Sequence, residues 1–179
     1  MKKTSLFVLS LICLFGFRIY GQEEATEPGC TDCHSDLVGL TVMHYPAEDA
    51  CDNCHMSNGN EHPQDGVLGF DLGDEMPALC FMCHEEYTKI NKHAPAEMGE
   101  CLMCHSPHGS PNEGLLLSSP ESAMCAECHD MSMAEQRVKH GPIASGTCST
   151  CHDPHQSDNI ALLKSEKKGL CMQCHTKAS

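Results

Sequence analysis

The sequence predicts a mostly irregular fold of short α-helices and loops, with little or no sheet, wrapped around something other than protein. Three observations lead there. Aromatic side chains are scarce: Trp is absent, there are 3 Tyr and 5 Phe in 179 residues, and Phe7, Phe15, Phe17 and Tyr20 all lie near the N-terminus. A chain of this length ordinarily builds its core from large aliphatic and aromatic side chains. The chain instead carries 15 Cys and 13 His, far above ordinary usage. The segments between the Cys are short, polar and rich in Gly and Pro, as in Gly59–Gly73 and Ser106–Glu113, and no alternating run is long enough for a convincing strand.

Residues 1–21 read as a secretory signal. Lys2 and Lys3 form a basic start, and Leu6–Phe17 is uncharged and mostly apolar before Arg18 interrupts it. That run is shorter than the roughly 20 residues a membrane span needs. Cleavage is expected near Tyr20–Gln22, although no A-x-A site is visible, and an uncleaved N-terminal anchor is the alternative. Cys13 sits inside the apolar run after Ile12, where a lipoprotein signal would have a small residue. Past the signal, 8 Lys+Arg stand against 25 Asp+Glu, a formal charge near −17. Such acidity argues against nucleic acid and anionic membrane surfaces. It suits redox partners with basic docking patches, or serves solubility alone.

Setting Cys13 aside, 14 Cys remain, and all fall in C-x-x-C pairs followed at once by His. The seven are Cys30, Cys33 and His34; Cys51, Cys54 and His55; Cys80, Cys83 and His84; Cys101, Cys104 and His105; Cys125, Cys128 and His129; Cys148, Cys151 and His152; and Cys171, Cys174 and His175. C-x-x-C-H is the c-type haem attachment signature. Two thiols about one helical turn apart add to the two vinyl groups of one haem, and the next residue turns its imidazole to the iron as proximal ligand. Zinc knuckles and disulfide scaffolds also use paired Cys, but neither requires His after every pair. Seven covalent haem c groups are expected, spanning residues 22–179 as one heptahaem unit, a multihaem cytochrome c wrapped around a chain of stacked haems.

The remaining His are His44, His62, His93, His108, His140 and His155. They recur in register with the motifs. His93-Ala-Pro and His140-Gly-Pro precede a motif Cys by eight residues, and His44-Tyr-Pro precedes Cys51 by seven. Ser106-Pro107-His108 and Asp153-Pro154-His155 follow motifs, and Leu115–Leu117 and Ala161–Leu163 come next. The unit H-x-P, C-x-x-C-H-x-P-H, Leu-rich stretch, C-x-x-C-H begins at His44, His93 and His140, a period of 47–49 residues, as in an array of like units. The first unit is stretched: His62 lies seven residues after His55.

Six extra His in register with the motifs are expected to be distal iron ligands. His108 and His155 lie too close to their own motif His to close on the same iron, so they must reach a neighbour. The simplest register gives His62, His108 and His155 to the haems at Cys80, Cys125 and Cys171, and His44, His93 and His140 to those at Cys51, Cys101 and Cys148. One haem is left without a distal His, that at Cys30 or, in a shifted register, that at Cys171. Met43 or another Met, a five-coordinate iron, or a partner's His would complete the count. Glu85–Lys92 and Ser132–Lys139 are candidate helices leading to the H-x-P ligands, and each C-x-x-C-H is expected at the start of, or within, a short helix. Motifs 21–29 residues apart keep neighbouring haems close, as in an elongated wire.

The stretch from Cys80 to His175 resembles the doubled C-x-x-C-H family of multihaem cytochromes. His93-Ala-Pro through Cys101-Leu-Met-Cys104-His105-Ser-Pro-His108-Gly-Ser is similar to the repeat of periplasmic decahaem cytochromes. The resemblance implies a chain of mostly bis-His haems passing electrons to outer-membrane partners or terminal reductases, with a porin or reductase complex as the kind of assembly the protein would join. It covers Cys30–His62 only loosely, and the haem number differs. With both axial positions filled, iron transfers electrons rather than binding substrate, at low potential if imidazole pairs and acidity dominate. A periplasmic or secreted carrier is the expectation, without catalytic residues. The alternative is a small multihaem reductase acting at the iron that lacks a distal His; the C-x-x-C-K variant often found in such enzymes does not occur here.

Overall fold

The seven cysteine motifs adopt two local conformations that alternate along the chain. Those at Cys51–Asn53, Cys101–Met103 and Cys148–Thr150 are 3₁₀ turns. Those at Cys30, Cys80, Cys125 and Cys171 belong to short α-helices, Cys30–Cys33, Ala78–Phe81, Ser122–Cys125 and Lys167–Cys174. These elements come from a computed structural model that describes residues 28–175; the expected signal, 1–21, lies outside the described residues.

Each 3₁₀ motif follows a one-turn α-helix that begins just after the H-x-P His or one residue later: Pro46–Asp49, Ala94–Glu97 and Gly141–Ala144. The Pro in the first turn lacks only an N–H that would be unpaired there, and its fixed φ favours entry. The second and third of these helices end on Gly99 (φ 80°) and Gly146 (φ 71°), the left-handed stop that glycine accepts without steric cost. Neither site has room for a side chain. A Cβ on Gly99 would fall 2.7 Å from Pro77 Cδ, and one on Gly146 would strike Ser122 Oγ and Pro120. Gly146→Ala is therefore expected to cost about 1–2 kcal/mol or more, read from thermal unfolding of the holo-protein. Gly141→Ala, whose Cβ would meet nothing within 4 Å, is the control and should change little.

Sheet is confined to three two-stranded ladders among the described residues. The six strands are β1 (Val42–Met43), β2 (His55–Ser57), β3 (Phe70–Leu72), β4 (Asn91–Lys92), β5 (Gly109–Ser110) and β6 (Gln156–Ser157). β2 and β3 form a hairpin that holds the stretched loop of the first unit. The other two ladders join units. β1 pairs antiparallel with β5, and β4 with β6, so the residues just before an H-x-P His meet those just after the Pro-His of the next unit. The Pro-His segment is thereby folded back onto the preceding unit. The fold is the expected one, irregular with short helices and little sheet.

Two helix expectations fail, the first of them for this reason. Residues 85–90 are not helical and lead into β4; Lys89 and Ile90 donate their N–H groups to Gln156 Oε1 (2.8 Å) and Asp158 Oδ1 (3.4 Å) of the next unit. Tertiary pairing has taken the donors a helix would use. Of the second, Ser132–Lys139, only Ser132–Glu135 forms a turn, of 3₁₀ type.

The Leu-rich stretches form left-handed corners. Gly114 and Leu115 have φ of 65° and 59°, and Ala161 and Leu162 have 54° and 55°. Bridges from His105 to Leu116 and from His152 to Leu163 close each corner onto its motif. Ser110 and Ser157, each only 3% exposed, donate their hydroxyls to the Leu116 and Leu163 carbonyls, which also accept from Asn112 and Asn159 side-chain amides. Ala161 occupies the place Gly114 holds one unit earlier. Because a left-handed non-glycine residue costs about 1–2 kcal/mol and glycine's extra chain entropy recovers part of that cost, Ala161→Gly should stabilise the holo-protein by up to about 1 kcal/mol. A lowered melting temperature in that variant would refute the reading.

Protein side chains form almost no core of their own. Ala96 is the only buried hydrophobic residue among those described, and no large side chain is fully buried.

Candidate functional site

The imidazoles are arranged in facing pairs. Ring centroids are 5.9 Å apart for His34 and His62, 6.0 Å for His84 and His44, 6.1 Å for His55 and His108, 5.9 Å for His129 and His93, 5.8 Å for His105 and His155, and 6.1 Å for His175 and His140. The planes lie within 13–31° of parallel. Every pair joins one motif His with one of the six others. Direct stacking would bring rings closer; two imidazoles bound on opposite sides of one metal, about 2 Å from each, set centroids about 6 Å apart.

The pairing follows one rule. His44, His93 and His140 face the second motif of their own unit, at His84, His129 and His175. His108 and His155 face the first motif of the preceding unit, at His55 and His105, and His62 faces His34 in the same sense. The register expected from sequence is thus shifted throughout. Neither His62, His108 and His155 nor His44, His93 and His140 meet the motifs first assigned to them. The cause is the inter-unit ladder: His44 N–H donates to the His108 carbonyl and His93 N–H to the His155 carbonyl, both at 2.9 Å. The motif left without a facing ring is that of His152, not that at Cys30 or Cys171. Met43, the candidate thioether for Cys30, lies instead against Gly109 in the β1–β5 ladder.

Two features set the motif rings. In the motifs at Cys30, Cys80, Cys101, Cys125, Cys148 and Cys171, the His N–H returns to the first Cys carbonyl at 2.9–3.1 Å. This closes the motif backbone into one turn. His105 Nδ1 donates to the Gly114 carbonyl at 2.7 Å and His152 Nδ1 to the Ala161 carbonyl at 2.8 Å, leaving Nε2 free to ligate. Such partners fix ring orientation and raise ligand basicity. The left-handed corners therefore serve as the carbonyl supports of two motif imidazoles, a role the sequence signalled only as a recurring Leu-rich stretch. Opposite them, Phe70 meets His62 edge-on at 5.3 Å and Tyr87 lies parallel to His155 at 5.8 Å.

At His108 and His155 local electrostatics favour neutral imidazole, the ligating form. Burial, then the charge His55 and His44 would carry, lowers the His108 pKa; burial, then His105, lowers that of His155, with Asp153 opposing. Asp153 caps the turn before His155, accepting the His155 and Gln156 N–H groups at 2.9 and 3.2 Å.

The fourteen described cysteines are unbridged. Thiols of adjacent motifs lie near enough to influence one another, Cys51 with Cys30, Cys80 with Cys101 and Cys125 with Cys148, as thiol-to-thiol hydrogen-bond neighbours rather than disulfides. Burial, then the Cys148 neighbour, pushes Cys125 up to about 11. Among the described residues no three His, Cys, Asp or Glu side chains converge as in a tetrahedral zinc site. Paired thiols one turn apart, motif imidazoles of which six are faced by a second ring, and scarcely any protein core fit covalently bound haem c.

The Doubled CXXCH motif family profile matches residues 44–89, 93–134 and 140–179. The matches start at the same three His that begin the repeat and together span well over half of the chain. No curated protein matches the sequence. No helix among the described residues is long and apolar enough to cross a membrane.

Proposed function

Because the chain belongs to the doubled CXXCH motif family and is a multihaem c-type cytochrome, we propose that it carries electrons through seven covalent haems in the periplasm or outside the cell. The observation that carries this is the set of six facing imidazole pairs, each with one motif His. Each haem, when bound, supplies a reversible one-electron iron couple.

The chain's residues do the rest. Cys30 and Cys33, and the six corresponding pairs, fix each haem covalently. His34, His55, His84, His105, His129, His152 and His175 are the proximal ligands. His62, His108, His44, His155, His93 and His140 are the distal ligands to His34, His55, His84, His105, His129 and His175 in that order. Where two imidazoles would hold one iron, they would leave substrate no place to bind, and the haem would supply electron transfer alone. Contacts between the Cys30 and Cys51, Cys80 and Cys101, and Cys125 and Cys148 thiols bring attachment points of successive haems side by side, as a relay needs. The acidic surface, net −14 over the whole chain, suits basic patches on redox partners.

The test is haem count by intact mass, with EPR of the oxidised protein and film voltammetry. Seven haems, at least six of them low-spin, and rapid reversible exchange of all electrons are expected. Fewer than seven haems, or mainly high-spin iron, would refute the reading. The unpaired His152 keeps a second reading in view, a reductase acting at that iron. Reductive turnover of nitrite or hydroxylamine that is abolished by His152→Ala would favour it.

A further inference from the structure

His152 is built as a motif ligand in every respect but one. Its N–H closes on Cys148, its Nδ1 is held by the Ala161 carbonyl, and its corner is buttressed by Ser157 and Asn159 as His105's is by Ser110 and Asn112. Yet no imidazole faces it: the other twelve His are all in pairs. In the two earlier junctions the facing His arrives on the segment that pairs with β1 or β4. The equivalent residues of the third unit, Val138 and Lys139, pair with no strand among the described residues, and Val138 is 82% exposed.

Something else stands on that side. A cavity of about 150 Å³ is lined by Met131, Met133 and Ala134 together with Cys148, Cys151 and His152. The side follows from the preceding unit. Tyr87, six residues before His93, lies against His155, the ring that faces His105. Ala134 holds the same place six residues before His140, so it and the flanking methionines are on the side where a facing ligand belongs. The stretch from motif His to H-x-P His is also longer here, His129 to His140 against His84 to His93. The extra length forms the turn Ser132–Glu135, anchored by Ser132 N–H to Asp130 Oδ1 at 2.9 Å. Met131 is half-buried at its start, whereas Met133 is 63% exposed. A buried thioether is an uncharged, soft donor that ligates haem iron and raises its potential.

We infer that the Met131 thioether is the distal ligand of the haem held by Cys148, Cys151 and His152, making it the one His/Met haem among bis-His neighbours and the one most readily reduced. This rests on the seven-haem reading above. It closes the ligand count within the chain and sets a single high-potential station next to the haem at Cys125, whose thiol touches that of Cys148.

The oxidised full-length holo-protein tests this, alongside Met131→Leu, Met133→Leu and Met131→His. Intact mass comes first: fewer than seven haems overturns the functional reading and the inference together. With seven present, one thioether-to-iron(III) charge-transfer absorption is expected at the red edge of the spectrum, unchanged in Met133→Leu. Met131→Leu should lose it, gain one high-spin iron, and bind one exogenous imidazole per protein. Met131→His should lose the absorption, remain wholly low-spin, and lose the first component of a reductive titration. Seven haems with no such absorption in the unaltered protein, or an absorption that survives Met131→Leu, overturns the inference alone. If Met131→Leu fails to mature, Met131→His and Met133→Leu carry the same test: an absorption that survives Met131→His, or is lost in Met133→Leu, overturns the inference.

Discussion

His155→Ala is expected to turn one low-spin iron high-spin, and that iron is the one held by Cys101, Cys104 and His105. The rings of His105 and His155 face each other at 5.8 Å, and no other imidazole is placed to substitute, because His93 is committed to His129 at 5.9 Å. The remaining six irons should keep their spin state. The motif at Cys101 lies between those at Cys80 and Cys125, so the lesion falls inside the relay; electron exchange between the two ends should slow markedly while haem count stays unchanged. The assignment is separable from the register that chain order suggests. In a background with Cys171 and Cys174 replaced by Ala, which removes the last haem, His155→Ala should still produce the high-spin signal. If the signal vanishes in that background, His155 serves the last haem and the facing-ring assignment fails.

Why the motifs and the spare His stand out in the sequence and their pairing does not comes down to what each rests on. The motif and the spare His are local facts: C-x-x-C-H needs only the five residues, and His93 or His140 is marked by the Pro that follows. Which spare His meets which motif depends on ladders of two residues each, β1 with β5 and β4 with β6. A two-residue strand has no periodicity, so nothing in Val42–Met43 or Gln156–Ser157 announces it. The same ladders removed the helix expected over Glu85–Lys92, since a segment whose N–H groups donate to Gln156 and Asp158 has none left for a helical turn. The Leu-rich stretches recurred visibly, but their left-handed corners at Gly114 and Ala161 did not. Alanine gives no sign of a positive φ, and the Ser110–Asn112 and Ser157–Asn159 brackets that hold the corners are ordinary polar residues in sequence. One local signal does mark an element. His-x-Pro followed by a Gly two residues before the Cys marks a one-turn helix with a proline in its first turn and a left-handed stop, found at Ala94–Glu97 with Gly99 and at Gly141–Ala144 with Gly146.

The largest effect of all should come from withholding haem. Folding must recover about 1–2 kcal/mol of backbone entropy for each ordered residue, and burial of apolar side chains is the main source of that recovery, about 1.5–3 kcal/mol for each large one fully buried. This chain has no fully buried large side chain among its described residues, and Ala96 alone is a buried hydrophobe. Side chains that a protein core would claim, such as Met82, Met98 and Ile160, are 67%, 66% and 75% exposed. Backbone hydrogen bonds do not close the gap, because each contributes only about 0.5–1.5 kcal/mol net against water, and the ladders here are two or three residues long. The facing imidazoles add nothing without a metal between them, since centroids about 6 Å apart leave the rings without direct contact. The chain made in cells lacking haem attachment, or with its motif Cys replaced by Ser, is therefore expected to be unfolded: coil-like by far-ultraviolet circular dichroism, without a cooperative thermal transition, and rapidly digested by protease. The holo-protein should resist the same protease and melt cooperatively. A helical, protease-resistant chain without haem would mean that the short helices and corners find enough stability in protein contacts alone, and the account of the porphyrins as the core would have to be abandoned.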